Sequence, residues 1–278
     1  MAKGELIENT PWLKNPGEAI DPVSQFIPNP ILNGATESLA WMSFTTANLM
    51  MFLGVLATWA LIQFGLGTSA GRVPSRLQVV AEGAYTFVKT TLLGATGEAG
   101  RPYLRLMVTL FFFIAMGNFL GMMILSIPGY GNPFFTYTSH FAVTGALGFG
   151  LMIFVTGLGI YKHGLHFFTL FVPSGVPLPL LFVLVPIEVI SYLTRPITLA
   201  VRLFANMVAG HALLKTLASF PYFVASATAS LAVGILTLVG MMLILIPLTG
   251  LEFIIAFLQA YVFVMLGSMY FKDAIHLH

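Results

Sequence analysis

Three stretches of the chain, Thr45 to Leu66, Leu106 to Ile127 and Phe141 to Tyr161, contain no charged side chain. Each is about 20 residues long, the length a helix needs to cross roughly 30 Å of hydrocarbon. Two longer apolar stretches follow, Leu178 to Phe220 and Tyr222 to Phe271. In lipid every backbone N–H and C=O must be satisfied within the protein, so stretches of this length and polarity fold as helices. The composition agrees, with 58% apolar and 8% charged residues against about 25% charged in a soluble domain. The expected fold is all-α: a polytopic membrane protein of about five transmembrane helices plus one amphipathic helix on the membrane surface, the last two spans being long and strongly tilted.

Residues 1–40 carry five acids and two lysines among scattered Pro and Asn. They read as a polar N-terminal segment without the h-region of a signal peptide, and 41–278 as a single membrane domain. Residues 67–105 hold Arg72, Arg76, Lys89, Arg101 and Arg105. From Ser75 to Leu93, Leu77, Val80, Ala84, Phe87, Val88, Thr91 and Leu92 recur at helical spacing opposite Arg76, Glu82 and Lys89, the pattern of a helix lying on the membrane. The positive charge marks this loop as cytoplasmic, which places the N-terminus outside and Lys162, His163, His166 and Lys272 inside if each long stretch crosses once. Gly117-x3-Gly121 and Ala146-x3-Gly150 read as small-residue contacts between helices. As a single helix, 178–220 would be about 60 Å long, so it must tilt or project. Pro186 and Pro196 predict kinks, Ser219-Phe220-Pro221 a break, and Pro247 to Gly250 either a kink or a turn.

With 12 Lys+Arg against 10 Asp+Glu, no basic face exists to hold nucleic acid. Without cysteine there is no disulfide, thiolate metal site or cysteine nucleophile. No phosphate-binding glycine loop, nucleophile elbow or H-E-x-x-H pair is present, so neither a bound nucleotide nor hydrolysis by this chain is expected. His163 and His166 stand three apart beside Lys162, too few ligands for a metal or haem. No cofactor is expected.

What stands out is charge where charge is expensive. Glu188, Arg195, Arg202 and Glu252 lie well inside apolar stretches, with His211 close behind, and each costs at least about 2.5–3.5 kcal/mol at the centre of a span. On a helical wheel Glu188, Ser191, Arg195, Thr198, Arg202 and Asn206 fall within roughly 80°, a polar stripe about 27 Å long. Two readings stay open: buried glue in which Glu188 pairs with Arg195, or the wall of an ion path. Arg202 fits the first badly, because the nearest carboxylate on its own face, Glu188, is fourteen residues away; its partner should lie elsewhere. Glu252 and Gln259 share one face of the final helix, and His211 lies on the opposite side of its helix from Arg202. His211 by itself reads as a hydrogen-bonded structural histidine.

The segment LTRPITLAVRLFANMVAGH, residues 193–211, closely resembles the a subunit of the F-type ATP synthase, and the likeness extends from about residue 40 to the end through VPSRLQ at 73–78 with Glu82 and LEFIIAFLQAYVFVML at 251–266. In the N-terminus only DPVSQF looks familiar, and 221–250 is longer than the family leads one to expect. The resemblance implies a non-catalytic, proton-translocating subunit beside a rotating c-ring, held with b-type subunits of the peripheral stalk. Arg202 would face the rotor carboxylate, with Asn206 one turn on, Glu188 upstream and Gln259 opposite. The combination of His211 and Glu252 resembles the alphaproteobacterial and mitochondrial branch, which suggests a bacterial inner membrane or its mitochondrial counterpart. The competing expectations are a secondary transporter or proton antiporter, against which no inverted repeat is visible, and a non-catalytic anchor of a respiratory complex.

Overall fold

The computed structural model describes residues 45–65, 75–122, 136–172, 177–228 and 231–276. The polar segment 1–40, Arg72 and most of the connection after Met122 lie outside the described residues. Among the described residues six α-helices follow in order: α1 (Thr46–Ala60), α2 (Arg76–Thr96), α3 (Leu104–Met122), α4 (Phe141–His163), α5 (Leu178–Thr228) and α6 (Leu231–Ile275), and there is no β-strand element. Among the same residues five helical stretches are long and apolar enough to cross a membrane: Ala47–Gly65, the run through α2 and α3 (Arg76–Met122), Phe141–Phe171, Pro179–Pro221 and Ala232–Ile275.

Local chemistry sets the helix ends. Ser75 caps α2, its Oγ accepting from the Gln78 N–H at 3.2 Å. Gly97 ends α2 at φ 63° and Gly164 ends α4 at φ 58°, a backbone region in which a Cβ is strained. Short 3-10 turns, Gly97–Tyr103 and Gly164–Phe171, continue each of them. A third, Tyr137–Ser139, leads into α4.

The expected break at Ser219-Phe220-Pro221 is absent, since α5 runs through Pro186, Pro196 and Pro221 to Thr228. Of the kink or turn left open at 247–250 the turn is excluded, since Pro247 lies inside the single helix α6. A proline forfeits one backbone bond, whereas a break at membrane depth exposes several polar groups to hydrocarbon, so continuity wins.

The core lies where α2, α3 and α4 meet the C-terminal half of α6. Ala256, Ala260, Phe263, Val264, Phe271 and Ala274 form its stripe on α6, at spacings of three, four and seven. Met107, Phe111 and Ile114 of α3 and Val88 and Leu92 of α2 close over it. Of the apolar positions of α2, Ala84 and Phe87 pack on the core, and Leu77 and Val80 at its start are exposed. The glycine pairs also act differently from expectation. A Cβ at Gly117 or Gly121 would collide with Tyr137 or Thr136, so these residues seat the 3-10 turn rather than another helix. Ala146 and Gly150 face outward; the close approach of α4 to α5 is at Gly148, where a Cβ would meet the Pro196 carbonyl at 2.9 Å.

Candidate functional site

α5 and α6 lie side by side, and two pairs fix them as antiparallel. Arg195 meets Asp273 with Nη1···Oδ2 at 2.8 Å, and His211 meets Glu252 with Nδ1···Oε1 at 3.5 Å. That register puts Arg202 and Asn206 level with the turns of α6 that contain Gln259. At 1.5 Å per residue, Arg202 is about 10 Å along the axis from the first pair and about 14 Å from the second.

Toward the interior α5 turns Leu199, Ala200, Leu203 and Met207, all nearly fully buried, with Ala200 against Gly148 of α4. The opposite side of the same turns, including Ser191, Thr198, Arg202 and Asn206, is exposed, with Ile197 and Val201 among them. The polar stripe of α5 therefore faces outward over much of its length. Its members differ in their contacts. Arg195 pairs across to Asp273, not to Glu188, and its guanidinium lies 5.5 Å from the centroids of both Tyr192 and Tyr270. The suggested Glu188–Arg195 pair is thereby replaced. Glu188 is half-buried and forms no ion pair among the described residues. Arg202 makes neither a hydrogen bond nor an ion pair among them.

On the inner side, Glu252 is 5% exposed and Gln259 is 6% exposed. The Glu252 carboxyl rests against Gly210, where a Cβ would approach Oε1 to 2.7 Å, so the absence of a side chain there leaves room for the acid. Neither carboxyl oxygen has a hydrogen-bond partner among the described residues, and the His211 ring is the ionisable group beside it. On its far edge His211 Nε2 lies 2.6 Å from the Thr136 hydroxyl. Thr136 is fully buried and begins the turn in which Thr138 donates to Asn118 Oδ1 at 2.7 Å, while Asn118 Nδ2 donates to the Ala256 carbonyl at 3.0 Å.

A buried polar file thus joins α3, the turn, α5 and α6: Asn118, Thr138, Thr136, His211 and Glu252. The first three were not singled out by sequence. The one available signal was Asn118, a lone amide in an otherwise apolar span, where an unpaired polar group is costly and so implies a partner. Just outside the spans, burial lowers the His140 pKa from its usual 6.5 and raises that of the Tyr137 phenol, which donates to the Phe113 carbonyl at 2.6 Å. His163 and His166 gather no third His, Asp or Glu among the described residues.

These features define a multi-pass helical membrane protein with ionisable groups inside its spans and a bare cation on an outward face. The family described as ATP synthase A chain matches residues 42–272. An ATP synthase subunit a of Granulibacter bethesdensis is 42% identical over 243 residues, covering 85% of this chain and 90% of its own. That of Erythrobacter litoralis is 40% identical over 270 residues, 93% and 97% of the two chains. That of Agrobacterium fabrum is 43% identical over 258 residues, 93% and 98%. The chain belongs to the ATP synthase A chain family.

Proposed function

We propose that the chain is the proton-translocating a subunit of an F-type ATP synthase in a bacterial inner membrane, forming two offset aqueous half-paths beside a ring of rotor subunits. Arg202 faces the rotor carboxylate. His211 and Glu252, with Gln259 as neighbour, serve the path from the acidic side, and Glu188 serves the path to the cytoplasm. The N-terminus is outside and the C-terminus inside. Five spans with arginines gathered between the first two support that orientation. On this reading α2 lies along the cytoplasmic membrane surface, and b-type stalk subunits hold the chain against the turning ring.

The observation that carries the reading is Arg202, exposed in mid-span without an ion pair among the described residues. A lone cation facing hydrocarbon is costly by several kcal/mol, so a partner outside the chain is required. A rotor carboxylate suits it. Carried through lipid, such an acid must be neutral, since burial raises its pKa by about 3–5 units. A fixed cation about 4 Å away, at an effective dielectric near 20, favours the ionised form by about 4 kcal/mol, or about 3 units. The two effects nearly cancel, so the acid gives up its proton beside Arg202 without being locked there. Guanidinium stays charged when desolvated, which lysine does not, and the fixed charge also blocks direct leakage between the half-paths. Each 100 mV supplies about 2.3 kcal/mol per proton to drive the ring.

The test is Arg202→Ala in the assembled synthase, reconstituted in vesicles. Proton-driven ATP synthesis should disappear while ATP hydrolysis by the detached catalytic sector persists. Normal coupling would overturn the assignment.

A further inference from the structure

At the start of α3, away from the α5–α6 seam, a cavity of about 450 Å³ opens between the end of the first span, α2 and α3. Its wall has two kinds of residue. Ile62, Leu104 and Val108 are aliphatic, and Arg101 and Arg105, four residues apart, line it together with Tyr85. Among the described residues no carboxylate lines it. Arg105 forms no ion pair among the described residues. Arg101 touches Glu98 at 3.4 Å, but both side chains are more than two-thirds exposed, so that contact is weak and readily exchanged.

We propose that this cavity binds an anionic phospholipid, its phosphate held by Arg101 and Arg105 and the upper part of an acyl chain lying along Ile62, Leu104 and Val108. The charge of the wall selects the headgroup: two planar donor forks match phosphate oxygens, and none of the described lining residues carries a negative charge to repel them. The position selects a lipid over a soluble anion. The arginines stand at the point where the helix becomes uninterruptedly apolar, so phosphate and hydrocarbon meet the wall at the depths where a bilayer presents them. This site is independent of the proton path, and its failure would leave the role of Arg202 untouched.

The experiment uses the purified synthase in zwitterionic micelles and phosphatidylglycerol bearing a photoreactive group near the top of one acyl chain. Adducts are mapped by mass spectrometry. Labelling at Ile62, Leu104 or Val108 is expected. The same probe with a phosphatidylcholine headgroup should require much higher concentration, and inorganic phosphate should not protect. Each arginine beside an anionic headgroup is worth about a fivefold factor, so Arg101→Gln with Arg105→Gln should raise the half-labelling concentration roughly 30-fold. Ile62→Trp keeps both arginines and fills the apolar end from a partly buried position; it should abolish the adducts, which keeps the test decisive if the double variant does not assemble. Equal labelling by both headgroups, or unchanged labelling in the variants, would overturn the proposal. So would protection by phosphate, which marks a free-anion site, or absence of adducts because a neighbouring subunit's helix fills the cavity.

Discussion

Replacing Gly210 by Ala perturbs the His211–Glu252 pair without touching either titratable group. The added methyl would stand 2.7 Å from Glu252 Oε1 and 3.3 Å from its Cδ. Ordinary contact begins near 3.4 Å, so the carboxyl must retreat by about 0.7 Å or the two helices must part by that much. The His211–Glu252 separation is already 3.5 Å, the outer edge of hydrogen-bond reach. On the proposed proton path, where these two groups exchange a proton, a displacement of this size reduces transfer by up to about 25-fold, taking a 1 Å misplacement as up to about a hundredfold. The assay is proton uptake by inverted vesicles during ATP hydrolysis, read by quenching of a pH-sensitive dye and scaled to the amount of assembled synthase. Glu252→Asp supplies the control. It withdraws the carboxyl by one methylene, about 1.5 Å, which opens the gap to His211 and lowers pumping by itself but removes the clash with position 210, so adding Gly210→Ala to Glu252→Asp should cost far less than Gly210→Ala costs the unaltered chain. Full pumping by Gly210→Ala, or an equal cost in both backgrounds, would refute the close-packed geometry as the reason position 210 lacks a side chain.

Asn118→Leu should destabilise the assembled subunit by about 1–3 kcal/mol, because it strands the Thr138 hydroxyl in a fully buried site; resistance to denaturing detergent measures the loss. A double-mutant cycle on Arg195→Ala and Asp273→Ala should give a coupling of about 1 kcal/mol, since both side chains are about one-third exposed, whereas pairing Arg195→Ala with Glu188→Ala should give none. Burial holds His140 below its ordinary 6.5, so the unfolded turn binds the proton more readily. The stability of residues 136–140 is then complete above about pH 6.5 and falls on acidification towards the lowered folded pKa. Hydrogen exchange in that turn should speed up as pH drops, after correction for the intrinsic rate, and His140→Gln should remove the excess.

The spans, the shared arc of the α5 stripe and the opposite placement of His211 and Arg202 were legible because they follow from charge counting and a 3.6-residue period, which lipid enforces strictly. Which of those two sides is turned inward only the packing of the helices reveals. What the period cannot disclose is pairing across the fold. Asp273 stands 78 residues from Arg195, while Glu188 is two turns away on the same face, so local geometry favoured the wrong partner. Asn118 was hidden beside Gly117 and Gly121, whose spacing suggests helix contact, and only the fold reveals that the glycines admit the Tyr137 turn. Pro221 misled for a different reason. Its cost is fixed and local, and the cost of breaking a helix depends on surroundings that a sequence does not display.

The central claim is that the face of α5 carrying Arg202 and Asn206 meets the rotor. The chain has no cysteine, so an introduced one is unique within it. Cysteine at Asn206, paired with a cysteine beside the carboxylate of a rotor subunit, should form a disulfide under mild oxidation, which requires Cα atoms within about 7 Å. Cysteine at the buried Ala200, on the other side of α5, should form none. Cross-linking from Ala200 but not from Asn206 would contradict the account.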